Sequence, residues 1–106
     1  MRTTITARHV EVPETLRRRA AEVLDRLGGV APRPVEASVV FDAEGLNQVV
    51  ELRLHVSRGE IFVAKGQAAD HRTALDRAEE KLRRQLEKAN GRPRRPRPRP
   101  LPPPAP

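Results

Sequence analysis

Hydrophobic and polar residues follow two different periods along residues 1–91 of this chain. A period of two, or a concentration of β-branched residues, predicts strands at residues 2–7, 35–42, 50–56 and 61–68. A period near 3.6 predicts amphipathic helices at residues 13–27 and 70–88. The predicted element order is β-α-β-β-β-α, with no internal repeat.

Residues with special backbone preferences mark the ends of the two predicted helices. Pro13 suits the first position of a helix, and the glycine pair at residues 28–29 predicts its end, because a left-handed closing residue needs no Cβ. Asp70 can cap the second helix by accepting a backbone N–H, and the Asn-Gly pair at residues 90–91 can close it.

Each predicted strand has one apolar face, which must be covered for a sheet to be stable. Two amphipathic helices supply that cover and leave the opposite sheet face in water. We therefore predict an α+β fold, a two-layer sandwich with a four-stranded mixed sheet and both helices on one face. The side chains expected in the core are Ile5, Leu16, Ala20, Val23, Leu24, Leu27, Val35, Ala37, Val39, Phe41, Val50, Leu52, Leu54, Val56, Leu75, Ala78, Leu82 and Leu86.

Charge divides the chain into a nearly neutral domain, residues 1–91, and a basic tail, residues 92–106. The chain carries a net charge of +7, but residues 1–91 hold 16 Lys and Arg against 14 Asp and Glu. The tail has eight of the eleven prolines and no acids, which predicts an extended, disordered arm. Such an arm either binds polyanions by counterion release or only solubilises the chain. Its arginines are Arg92, Arg94, Arg95, Arg97 and Arg99.

Several function classes lack support in the composition. The chain has no cysteine, no apolar run of membrane-spanning length and no signal-peptide pattern, so we expect a cytoplasmic protein. His9, His55 and His71 are scattered, without the spacing of a metal site. The sequence supports no reaction class, cofactor, metal or small-molecule substrate, and we expect a non-enzymatic protein.

One face of the second predicted helix carries cations alone. At about 100° per residue, Arg77, Lys81, Arg84 and Lys88 fall in one narrow stripe, the basic row, roughly 120° from the apolar face. Such a helix can bury one face and offer cations to a rigid polyanion; an ordinary solvated surface is the alternative. The first helix holds a second group of candidate contacts, Arg18, Arg19 and Arg26, and the outward sheet face holds a weaker one, Arg53 and His55.

Two segments carry a resemblance to a known family. The opening ITARHVEV (residues 5–12) and the last helix resemble those of the ribosome hibernation promoting factors, also called ribosome-associated inhibitor or sigma-54 modulation proteins. The resemblance covers residues 1–90. In the last helix it rests on Asp70, Ala74, Leu75, Asp76, Ala78, Lys81, Leu82, Arg84, Gln85, Leu86 and Lys88.

The resemblance implies a shape like that of double-stranded-RNA-binding domains. It also implies binding to the small ribosomal subunit and its rRNA, at the mRNA and tRNA sites between head and body, as a monomer off the ribosome. Steric occlusion there would silence translation in starvation or stationary phase without catalysis. The near absence of aromatic residues agrees, because backbone recognition does not need base stacking.

The chain departs from the family pattern at three positions and in length. Ala7 stands where glycine is usual, Arg72 where tyrosine is frequent, and Val23 where a basic residue is common, so one phosphate contact would be missing. No part of the sequence resembles the large C-terminal dimerisation domain of the long family members, so we expect a short form. Two other functions stay open: a general structured-RNA-binding protein or RNA chaperone, and a protein–protein adaptor that uses the exposed sheet face.

Overall fold

The computed structural model describes residues 1–91, and the predicted basic arm at residues 92–106 lies outside the described residues. The predicted element order and α+β class are confirmed. The elements are β1 (Arg2–Ala7), α1 (Glu14–Val30), β2 (Pro34–Glu44), β3 (Asn47–Val56), β4 (Ile61–Ala68) and α2 (His71–Gly91).

The four strands form one mixed sheet in the order β1-β2-β3-β4. β1 and β2 are parallel, so α1 must carry the chain back across the sheet, whereas β2, β3 and β4 are antiparallel and joined by short turns. α1 packs on β1 and β2, and α2 packs on β3 and β4. Both helices therefore cover the same face, and β4 is an edge strand beneath α2.

The core lies between the sheet and the helices, as the apolar faces of the predicted strands and helices indicated. Phe41, Leu52 and Leu54 of the sheet are fully buried, as are Leu24 of α1 and Leu82 of α2. Ile5 is half-buried and packs against this core, as predicted. No polar or charged side chain is buried among residues 1–89, so the core of the domain is held together by apolar packing.

The predicted end of α1 at the glycine pair is wrong. The helix continues through Gly28 and Gly29 to Val30, and neither glycine has a positive φ. The N–H of Ala31 donates to the carbonyl of Leu27 over 3.1 Å, so ordinary helical bonding reaches one residue beyond the helix. Favourable hydrogen bonding has outweighed the preference of glycine for a helix end.

The predicted inward direction of Val35 is also wrong, since this side chain is 46% exposed. The pairing of β2 with β3 shifts between Pro34 and Glu36, and the regular alternation begins only after that irregularity. At the start of α1, Pro13 caps the helix from the position just before it, with its carbonyl accepting the N–H of Arg17. The predicted cap of α2 is confirmed, because Asp70 accepts the N–H of Thr73 over 2.9 Å.

Candidate nucleic-acid interface

The basic row lies on the exposed side of α2, and its first half runs along the free edge of β4. Arg77, Lys81, Arg84 and Lys88 are all exposed. The Arg77 guanidinium donates to the backbone carbonyl of Gln67 over 2.7 Å. The Lys81 ammonium donates to the carbonyl of Lys65 over 2.9 Å. These two cations are therefore held against the sheet in fixed positions.

Gln85 continues the same arrangement, because its side-chain amide donates to the carbonyl of Val63 over 2.8 Å. The three hydrogen bonds of Arg77, Lys81 and Gln85 are called the β4-edge contacts below. Four residues of helix rise about 6 Å and two residues of strand about 6.7 Å, so donors at every fourth helical position meet successive outward carbonyls. The sequence interpretation missed this role of Gln85, although the spacing of the three donors was visible.

Gly66 allows α2 to approach β4 closely enough for these contacts. A Cβ at Gly66 would overlap the carbonyl oxygen of Ala74 and lie 2.7 Å from the amide nitrogen of Ala78. Both groups belong to the α2 backbone and cannot rotate away. Only glycine permits this crossing, which places the basic row beside the strand edge.

The second half of the basic row is less constrained. Arg84 pairs with Glu80 over 3.4 Å, and both side chains are about two-thirds exposed or more, at 71% and 67%. Exposed pairs of this kind contribute only about 0–1 kcal/mol, so a phosphate can replace the carboxylate at small cost. Lys88 makes no hydrogen bond or ion pair with the described residues and is available for an external anion.

The second group of candidates is divided by the contact between α1 and α2. Arg19 donates to Asp76 over 2.8 Å, and this hydrogen bond raises the pKa of Arg19 above its ordinary value. Arg26 makes a forked contact with Glu79, whose side chain is only 14% exposed. Both arginines therefore connect the helices. Arg18 is exposed and has no partner within residues 1–91.

Glu79 also accepts a hydrogen bond from Arg83 over 3.2 Å, one turn along α2. The sequence interpretation did not identify Arg83, because the pairing depends on which faces of the two helices meet. Val23 is fully buried in that region of α1. Val23 is therefore a core residue, as its place in the apolar stripe predicted.

The histidines near the start of α2 have structural partners. His9 contacts the Asp42 carboxylate over 3.3 Å, and His71 contacts the Asp42 carbonyl over 3.0 Å while its ring packs edge-on against Phe41. The Ala43 N–H, and secondarily His9, lower the pKa of Asp42. No group of three or more potential metal ligands occurs within residues 1–91.

The uncovered sheet face is shallow and mixed in character. Arg53 and His55 face a depression of about 280 Å³, which Glu36 and the hydroxyls of Thr4 and Ser38 also line. Arg2 pairs with Glu36 over 2.7 Å at its rim. Within the described part of the chain, no helix is long and apolar enough to cross a membrane.

The fold is similar to that of two solved structures. A ribosomal subunit interface protein from Coxiella burnetii matches 87% of this chain and all of its own length, with a TM-score of 0.75 and 20% identity. The N-terminal domain of Protein Y from Thermus thermophilus matches 84% of this chain and 99% of its own, with a TM-score of 0.71 and 23% identity. These likenesses establish the fold.

Relatives at higher identity extend the comparison to the sequence. The ribosome hibernation promoting factor of Pseudomonas putida is 35% identical over 88 residues, which cover 83% of this chain and 85% of the relative. That of Azotobacter vinelandii is 34% identical over 86 residues, covering 81% and 79%. Residues 3–94 match the family described as sigma 54 modulation protein / S30EA ribosomal protein. Because the family match and the two named relatives each cover most of the sequence, the chain belongs to the sigma 54 modulation protein / S30EA ribosomal protein family.

Proposed function

We propose that this protein is a ribosome hibernation factor of the cytoplasm. In this proposal it binds rRNA phosphates of the small ribosomal subunit with the exposed side of α2 and occludes the mRNA and tRNA sites during starvation. It acts as a monomer and without catalysis. The observation that carries the proposal is the basic row, whose first two cations are fixed on the β4 edge, in a family whose named relatives are hibernation factors.

Anchoring at the β4 edge is compatible with phosphate binding. Arg77 uses one of its five N–H donors for the carbonyl of Gln67, and Lys81 uses one of its three for the carbonyl of Lys65. The remaining donors stay exposed. A side chain already held in one conformation loses less entropy when it binds, so fixed cations favour a rigid target such as folded rRNA.

The members of the two groups are expected to contribute unequally. Lys88, Arg84 and Arg18 can contact phosphate directly, because they have no partner or only an exposed one. Arg19 and Arg26 must first leave carboxylates that connect the helices. We propose that their main role is to orient α1 against α2, with a smaller contribution to binding.

A matched pair of double variants tests this function. Arg84→Gln with Lys88→Gln removes two cations from the basic row and none of the β4-edge contacts. Arg2→Gln with Arg53→Gln makes the same change in net charge on the uncovered sheet face. We expect the first pair to weaken co-sedimentation with small subunits. It should also reduce the salt slope, the steepness with which the logarithm of the binding constant falls with the logarithm of the salt concentration, by about 1.5. Each phosphate contact contributes about 0.7–0.9 to this slope. The second pair should have little effect.

Equal losses in both double variants would contradict a directed α2 interface and indicate non-specific attraction. Excess competitor RNA separates the specific function from general RNA binding: release from ribosomes at modest competitor concentration would refute the ribosome preference. An adaptor that uses the sheet face requires the opposite pattern, with only the variant of Arg2 and Arg53 impaired.

Residues 1–91 are proposed to be the ribosome-binding domain and residues 92–106 an auxiliary electrostatic arm. The arm holds five arginines and no acid. Deletion of residues 92–106 should therefore lower the salt slope of binding while leaving the subunit preference intact. An unchanged slope would show that the arm makes no phosphate contacts.

A further inference from the structure

A second concave site lies at the end of the sheet towards which α2 runs. The β4-edge contacts proceed from Gln67 to Val63 as α2 advances, so the helix points to the turn between β3 and β4. At that end, the turn and the loop between α1 and β2 enclose a depression of about 350 Å³. The residues that line it are Pro32, Arg33, Val56, Ser57, Arg58 and Glu60.

The two segments around this depression are joined through their backbones. The N–H of Ser57 donates to the carbonyl of Arg33 over 3.0 Å. The N–H of Val56 donates to the carbonyl of Glu60 over 3.0 Å and closes the turn. The backbone positions of Arg33 and Arg58 are therefore set relative to each other, although the two residues lie 25 positions apart in the sequence.

Both arginines adopt a backbone conformation that favours glycine. Arg33 has φ 48° and Arg58 has φ 85°. Within residues 1–91, the only other non-glycine residue with a positive φ is His9. Strained residues of this kind persist where the surrounding structure holds them, and they concentrate at binding sites. A glycine at either position would relieve the strain, so folding does not explain why arginine occupies it.

The two guanidinium groups are free for a ligand. Both residues are exposed, and neither side chain makes a hydrogen bond or ion pair with the described residues. Glu60 is the one acid in the lining and is itself exposed, without an ion pair in this part of the chain. Both arginines line the same depression, and their planar guanidinium groups suit the oxygen atoms of a phosphate group.

We propose that Arg33 and Arg58 form a second binding site for RNA phosphate, the turn site. The inference rests on the proposed function and extends it from one face of α2 to the end of the molecule. Lys88 lies beyond Gln85 in the direction of this end, so the RNA contact continues from the basic row to the turn site.

Replacement by glycine tests the turn site without endangering the fold. Arg33→Gly and Arg58→Gly each remove a guanidinium and relieve a strained backbone. We expect each variant to unfold at a higher temperature than the wild type, yet to bind small subunits several-fold more weakly. The salt slope should fall by about 0.7–0.9 per lost contact. Arg58→Lys is the matched control, since it keeps both the charge and the strain. It should keep the wild-type dependence on salt and lose less binding than Arg58→Gly.

Glycine variants that bind with wild-type affinity and slope, while Arg84→Gln with Lys88→Gln loses binding, would overturn the turn site and leave the proposed function standing. If the wild type itself fails to bind small subunits, the proposed function is refuted. A titration of the protein with a short RNA hairpin, followed by amide NMR, then decides on the turn site. Shifts at Arg33, Ser57 and Arg58 support the site, and their absence overturns it.

Discussion

The crossing of α2 over β4 at Gly66 predicts a large effect from one added methyl group. In Gly66→Ala, the new Cβ would meet the backbone of Ala74 and Ala78 at separations that real Cβ atoms do not show. Ordinary contact begins near 3.4 Å, so α2 must move away from the sheet by on the order of 1 Å. A side-chain rotation cannot relieve the overlap, because both contacted atoms belong to the helix backbone.

The cost of this displacement can be worked out from two contributions. Overpacking of this kind costs about 1–3 kcal/mol. A shift of about 1 Å also lengthens the three β4-edge contacts beyond hydrogen-bonding distance, at about 0.5–1.5 kcal/mol each. The free energy of unfolding should therefore fall by about 2.5–7.5 kcal/mol. This is a large share of the total for a typical domain, which is about 5–15 kcal/mol.

Urea and thermal unfolding measure this effect, with Gly29→Ala as the matched control. Gly29 is exposed within α1, and a Cβ there would meet nothing within 4 Å. The control should stabilise the domain by about 0.5–1 kcal/mol, since alanine favours the helix. Gly66→Ala should lower the melting temperature by about 10 °C or more. Equal effects of the two substitutions, or a stable Gly66→Ala domain, would refute the argument from close approach.

Two further predictions concern carboxylates. Glu79→Gln should lower the free energy of unfolding by about 1 kcal/mol in urea, because Glu79 neutralises Arg26 and Arg83 between the helices; an unchanged midpoint would contradict this role. The Thr73 N–H lowers the pKa of Asp70 below its ordinary 3.8, so this carboxylate stabilises the fold above that pH, and the contribution is lost as the pH falls below it. Asp70→Asn keeps a cap but removes the titration. Its melting temperature should therefore fall below that of the wild type at pH 7, and the difference should shrink as the pH is lowered below 3.8. A difference that does not change with pH would argue against the linkage.

The fold could be predicted because the pattern of apolar residues within each segment shows both the type of element and its buried face. Alternation along β3, from Val50 to Val56, and the apolar stripe of α2 each report burial without knowledge of the partner element. The two errors arose where a local preference lost to its surroundings. The glycine pair at residues 28–29 stayed helical, and Val35 turned outward because the sheet register shifts beside Pro34.

The site could be predicted only in part. Helical periodicity places the basic row on the exposed side of α2, and the structure agrees. Which cations are tied to carboxylates depends on the contact between two helices, as with Arg19 and Asp76, which lie 57 residues apart in sequence. The role of Gln85 depends on the register of α2 against β4. Neither relation leaves a periodic signal in the sequence.

The β4-edge contacts also affect how this protein behaves at high concentration. An edge strand with free carbonyls can recruit a strand from another molecule and begin aggregation. In β4, the outward carbonyls of Val63, Lys65 and Gln67 are already occupied by side chains of α2. The two cations among these donors therefore protect the strand edge, in addition to the RNA contact proposed for them. Replacing Arg77 or Lys81 with an acid would open the strand edge, and self-association would accompany the loss of binding.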